Sequence, residues 1–358
     1  MDLPRVTDLA AKQAIDAIRL FREFVRVQRE LQAYEGSLFF KKVGAYEYLL
    51  HKLHGRVHYR GTRSAATEAE YAAFNEQKLR LKTRVDLLKP SVETHQRMNK
   101  AVHAGSVPTD IIEVLTQLER HGLYDKCFVL GGAALYAYCQ SSGIQIEGLT
   151  MPGQNEALLP RQPDTLCVLV QTAQPAAADL IRQLQHSLRT VAQLEVSEVL
   201  PSSCWMWSFH FDGAASTATN NTPARAKTRK LTADAQSGAK MRNARHRPSS
   251  SAASHSIELE AWLALLEQTP VYEQVVIGRT GKMAVMRTID PHFFVTLARA
   301  RQLHGDVDRD HTAQHSQLVE QLLESSLVIS KLDGAAQEAL DHQLLALAAA
   351  TEASGDPI

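Results

Sequence analysis

Apolar residues recur at helical spacing over residues 8–35, where Leu9, Ile15, Ile18, Phe21, Val25 and Leu31 alternate with Arg22, Glu23, Arg26, Arg29 and Glu30. That period predicts a long amphipathic helix carrying those apolar residues on one face and ending at Gly36. The basic and aromatic stretch from Phe39 to Arg63 is punctuated by Gly44, Gly55 and Gly61 and reads as loop with short helical pieces. Helical periodicity resumes at Ser64, with Ser64 or Thr67 as the expected cap and Pro90 as the expected end. A further helix comes after Pro108, opened by Thr109 and closed by Gly122.

Beyond Gly122 the pattern shortens. Cys127 to Leu130 reads as a buried strand, Gly131-Gly132 as a tight turn, and Ala133 to Ser142 as a small-residue helix. Thr165 to Gln171 reads as a second buried strand, Pro175 to Leu188 as a helix, and Leu194 to Leu200 and Trp205 to Phe211 as strands. Apolar runs at 273–278 and 282–286 flank Arg279-Thr280-Gly281 and predict a hairpin. From Pro291 onward the pattern is helical again, ending with Ala335 to Ala350.

One segment departs from both periods. Residues 212–256 are dense in Ser, Thr, Ala and Asn and nearly free of large apolar side chains, so they bury too little to offset their ordering entropy. The expectation is a disordered basic insertion. After Asp212 at its edge, Arg225, Lys227, Arg229, Lys230, Lys240, Arg242, Arg245 and Arg247 are opposed within it by Asp234 alone. Such clustered cations suit nonspecific contact with the phosphates of nucleic acid, although no interleaved aromatic suggests base stacking. The alternative is a solvated insertion with no partner.

Composition narrows the classes. With 358 residues, 44% hydrophobic and 22% charged, the chain has material for a large core or two ordinary ones. Lys plus Arg and Asp plus Glu both number 39, so no global field draws it to a polyanion or an anionic membrane. No apolar run approaches the roughly 20 residues of a spanning helix, and the N-terminus carries no signal core. A cytoplasmic protein with no membrane partner is expected. Four cysteines without a CxxC predict neither a disulfide framework nor a zinc site.

The candidate chemistry begins at the Gly-Gly turn. Glycines let backbone amides approach a phosphate, and the helix after them adds a favourable dipole. In this setting FVLGGAALYAY (128–138), succeeded about thirty residues later by a strand beginning at Thr165, resembles the opening of a nucleotidyltransferase-fold domain. The segments 41–78, 98–108, 122–144 and 286–323, in that order, are similar to a little-characterised bacterial family of nucleotidyltransferase-like proteins. The resemblance implies an α+β architecture: a small mixed-sheet nucleotidyltransferase-like core over 122–290, carrying the insertion, flanked by a helical N-terminal region, 1–121, and a helical C-terminal region, 291–358.

The resemblance also implies a metal site that this sequence lacks. Such enzymes carry two acids, one residue apart on the strand after the Gly-Gly helix, that hold Mg²⁺ against a nucleoside triphosphate. Here that strand reads Thr165-Leu166-Cys167-Val168-Leu169-Val170. A shifted register makes Asp164 one acid but puts Leu166 in the second place, and Asp212, after the Trp205 to Phe211 strand, is the candidate third carboxylate. No metal ligand set is expected, and Mg²⁺ enters only with residual activity. Gly131 and Gly132 are the expected phosphate contacts; Arg309, within Asp308-Arg309-Asp310, resembles an Arg near the family's nucleotide site.

Other constellations are weaker. Asp306, Asp308 and Asp310 imitate a calcium loop without its Gly and Glu, and His311 with His315 has metal-ligand spacing but suits a solvated helix face. Two functions therefore remain: a degenerate nucleotidyltransferase-fold protein that binds nucleotide or phosphate with little or no transfer, or a noncatalytic module that binds nucleic acid or protein through the basic insertion.

Overall fold

The computed structural model describes residues 3–146, 149, 158, 165–171, 183–184, 187–188, 191–200, 204–211, 264–303 and 309–354. The chain is α+β, with a mixed six-stranded sheet, a separate three-stranded antiparallel sheet, and helices around both.

Thr7 caps the first helix, α1 (Asp8–Gln32), by accepting the Ala10 N–H, and Gly36 beyond its end takes a positive φ of 84°. Its buried face keeps Phe21 and Val25 of the apolar positions expected and differs elsewhere. Ala10, Ala14, Ala17, Phe21 and Val25 are buried, whereas Leu9 and Ile15 stand 66% and 59% exposed. Small residues win the inner face because α1 lies close against α2 (Ala65–Ala101) and the edge of the six-stranded sheet.

Residues 37–62, expected to be loop, form the three-stranded meander β1 (Ser37–Val43), β2 (Tyr46–Leu53) and β3 (Arg56–Thr62). Gly44 and Gly55 are turn residues with φ of 63° and 78°, so the glycines mark hairpins. Alternation on this sheet sets one covered face against one wet face that is itself rich in aromatics, and that obscures the usual polar-out signature. Helix α2 starts at the Ser64–Thr67 capping box, as its sequence predicts, but runs through Pro90 to Ala101. Proline removes one helical hydrogen bond there, while burial of Leu88 and Val92 on either side holds the helix together.

Helix α3 (Thr109–Arg120) has Pro108, not Thr109, at its cap, with no side-chain cap bond; Gly122 ends it with φ of 68°. Then come β4 (Cys127–Val129), a 3₁₀ turn over Gly131–Ala134, α4 (Leu135–Ser142), β5 (Thr165–Gln171), β6 (Val191–Leu200), β7 (Cys204–Phe211), and the hairpin β8 (Tyr272–Ile277) and β9 (Met283–Thr288). The sheet order is β6-β7-β5-β4-β9-β8, every neighbouring pair antiparallel except β4 with β9. Residues 175–182, the greater part of the expected helix at 175–188, lie outside the described residues.

Helices α5 (Pro291–Leu303), α6 (Arg309–Glu324) and α7 (Gly334–Ser354) complete the chain. Phe293, Phe294, Leu318, Leu322, Leu340 and Leu344 from them join the same core as Leu166, Val168, Trp207 and Phe209 of the sheet. A second cluster ties α1 and α2 to Val275, Ile277 and Met283 at the β8–β9 edge. Both helical regions therefore share apolar cores with the sheet. Among the described residues no helix is long and apolar enough to cross a membrane.

Core packing carries a pH signature. All four cysteines are free, and burial pushes the thiols of Cys127 and Cys139 up to about 12 and that of Cys204 up to about 11. Burial likewise raises the Tyr138 and Tyr272 phenols. In the unfolded chain these groups ionise near their ordinary values, while the folded chain keeps them protonated. Their contribution is complete below the unfolded pKa and is lost as pH rises toward the folded value. Urea unfolding is expected to show stability falling from about pH 9 upward; a flat profile across that range would contradict the burial of these groups.

Candidate functional site

The Gly-Gly turn leaves the sheet beside β5. Val129 pairs with Val168, and the next amide, Leu130 N–H, donates to the Cys167 carbonyl at 3.0 Å. Gly131 is thereby level with the first residues of β5. It adopts φ of 68°, is exposed, and has no atom within 4 Å of where a Cβ would stand. Glycine is demanded here by the backbone alone, since a left-handed conformation costs another residue about 1–2 kcal/mol. Leu130 supplies no side-chain cap to the turn.

Helix α4, directly after the turn, is held rigidly. Its Tyr138 is fully buried, donates its hydroxyl to the Ile289 carbonyl at 2.8 Å, and meets Tyr272 and Phe294 edge-on at 5.2 and 5.7 Å. Gly143, with φ of 68°, ends the helix in the left-handed conformation.

Period-two alternation gives β5 and β7 two unlike faces. Leu166, Val168, Val170, Trp207 and Phe209 turn into the core and are completely buried. The opposite face carries Thr165 across from His210 and Cys167 across from Ser208, with Glu195 of β6 extending the second row. All four central residues are partly exposed. Thr165 Oγ1 lies 3.2 Å from His210 Nδ1, and Cys167 Sγ lies 3.9 Å from Ser208 Oγ. His210 Nε2 has no hydrogen-bond partner among the described residues; the Glu195 carboxylate, itself 60% exposed, is 3.5 Å away. A polar face of hydroxyls, a thiol and an imidazole thus adjoins the turn.

Thr165 and Cys167 occupy the first two outward positions of β5, and neither is a carboxylate. Neither can hold Mg²⁺ as a carboxylate pair does. Among the described residues no three His, Cys, Asp or Glu side chains gather as a metal site. Asp164 and Asp212, and Arg225, Lys227, Arg229, Lys230, Arg242, Arg245 and Arg247, lie outside the described residues. Arg309 is the first residue of α6. His315 Nε2 lies 2.9 Å from the Leu158 carbonyl. Gly131, the expected phosphate contact, follows Leu130, whose amide is bonded to Cys167 of β5. His210, Ser208 and Glu195 are the site residues that sequence reasoning missed as a group. The signal was the alternation of CWMWSFHF itself, which separates Ser208 and His210 from the tryptophans and phenylalanines, but only strand pairing sets them opposite Cys167 and Thr165.

Comparison of the chain with protein-family models, with curated proteins and with solved structures finds no match.

Proposed function

We propose that the chain is a degenerate nucleotidyltransferase-fold protein that binds a nucleotide through its phosphates, without catalysing ordinary nucleotidyl transfer. The observation that carries this reading is the juxtaposition of an exposed Gly131 turn with a sheet face whose first strand offers Thr165 and Cys167 in place of acids. Amides at the turn suit phosphate oxygens, and the hydroxyls of Thr165 and Ser208 with the His210 ring add polar partners on the same side. A strand–turn–helix unit returning into an antiparallel strand of a mixed sheet supports the fold assignment. Without a carboxylate pair, charge developing on a leaving pyrophosphate has no metal clamp, and removal of such electrostatic stabilisation costs orders of magnitude in rate.

The test uses Cys167, the partly exposed thiol of the face, as reporter. Iodoacetamide is expected to modify Cys167 in the native protein and to spare buried Cys127 and Cys139. Adding ATP with EDTA should protect Cys167, with a matching heat of binding by calorimetry. None of the four radiolabelled ribonucleoside triphosphates should transfer label to the protein or to RNA in the presence of Mg²⁺. Failure of all four nucleotides to protect or bind would sink the binding half, and Mg²⁺-dependent transfer lost in Asp164→Ala would sink the noncatalytic half.

A further inference from the structure

The meander β1–β3 has two faces of different character, fixed by its register. On one face Phe40 meets Tyr71 of α2 at 5.4 Å, His51 meets Phe74 at 5.7 Å, and Leu49 is fully buried. The other face points away from that helix. Its cross-strand rows are Ser37, Lys52 and Val57; Phe39, Leu50 and Tyr59; and Lys41, Tyr48 and Thr62, with Val43 opposite Tyr46 at the end. Tyr48 lies at the centre, 6.5 Å from Tyr46 and 5.7 Å from Tyr59.

This outer face is open. Tyr46 is 65% and Tyr59 62% exposed, and Val43 and Val57 are more than half exposed. Cross-strand ring pairs stabilise the sheet modestly, but a contiguous patch of large apolar groups left this exposed marks a contact surface. Charge says what kind. Lys41 and Lys52 both stand exposed on this face, and no acidic residue lies anywhere on it. Between residues 37 and 63 the chain has six Lys and Arg against one acid, Glu47, which is tied to Arg63. Protein interfaces are depleted in lysine, whereas aromatic rings interspersed with cations are what a flexible polyanion with flat bases requires.

We propose that the outer face of β1–β3 binds a single-stranded nucleic acid, with bases stacking on Tyr46, Tyr48 and Tyr59 and phosphates meeting Lys41 and Lys52. The site is independent of the nucleotide reading, lies on a different sheet, and does not use the basic insertion. Stacking tolerates any base because each has a π face, so little sequence preference is expected.

Fluorescence anisotropy of the full chain with a labelled single-stranded oligoribonucleotide of mixed sequence, across a salt series, tests the assignment. Binding should be salt-dependent and stronger than to the same sequence as duplex. Removing both cations in Lys41→Ala/Lys52→Ala should lower the log–log salt slope by about 1.4. Tyr59→Ala should weaken binding about tenfold, Tyr59→Phe should retain it, and Lys82→Ala on α2 should change nothing. The substituted side chains are exposed, and circular dichroism of each variant is expected to match that of the native chain. Three results would overturn the proposal: no binding, binding that ignores these variants but disappears on deletion of 225–247, or self-association abolished by Tyr59→Ala in a chain that binds no RNA.

Discussion

Replacing Asp290 by alanine is expected to destabilise the protein by about 3–5 kcal/mol. The carboxylate is completely buried immediately before Pro291, the first residue of α5. Its Oδ1 accepts the His292 N–H at 2.9 Å, which caps the helix, and the Ser330 hydroxyl at 2.7 Å; its Oδ2 accepts the Lys331 N–H at 2.9 Å. One side chain therefore joins the end of β9, the start of α5 and the connection between α6 and α7. Losing the cap alone costs about 1 kcal/mol, and each buried donor left without an acceptor adds about 1–3 kcal/mol. Asparagine is not a mild substitute. Its oxygen can serve His292 and Ser330, but its NH₂ then faces the Lys331 N–H, donor against donor, at a cost of about 1–3 kcal/mol. Urea unfolding of the two variants should rank Ala below Asn below the native chain. An alanine variant within about 0.5 kcal/mol of native, the range of an ordinary surface substitution, would show that these bonds are replaced by water.

The second large effect is expected at Gly281, in the β8–β9 turn. Its φ is 80°, and a Cβ there would stand 2.0 Å from the Gln96 carbonyl oxygen and 2.8 Å from the Lys100 amide of α2. Both atoms belong to helical backbone, so the hairpin must move away from α2. That movement strains the Asn99 Nδ2–H bond to the Gly281 carbonyl, at 3.2 Å, and with it the bond from Gln13 of α1 to Asn99 Oδ1, at 3.0 Å. Gly281→Ala combines left-handed strain of about 1–2 kcal/mol with unpaired groups around a side chain only 1% exposed, for a loss of about 3–5 kcal/mol. Asn99→Ala, which removes the buried amide without moving the hairpin, should cost less. If chemical denaturation places the glycine variant no lower than the Asn99 variant, the close approach of turn and helix is wrong.

Several elements are legible in local pattern because their cause is local. The Thr165–Gln171 strand, the β8–β9 hairpin and the capping box at Ser64 arise from periodicity and capping chemistry within a few residues. The meander at 37–62 is not legible that way. Its outer face carries tyrosines where alternation leads one to expect polar groups, so strand periodicity is masked by the surface that we assign to nucleic acid. Pro90 misleads for a different reason: local propensity ends the helix there, and burial of Leu88 and Val92 outweighs it.

The amino-acid order by itself determined that β5 presents no paired carboxylates, that Gly131 can take a left-handed turn, and that residues 37–63 are basic, because these are properties of residue identity and near neighbours. Only the tertiary structure decided that Thr165 faces His210 and Cys167 faces Ser208, that the lysines and tyrosines share one open face, and that Asp290 reaches Ser330 and Lys331. Those pairings depend on strand register and on contacts between distant segments. Both are selected by which apolar faces can be buried together, a condition that no short window of residues contains.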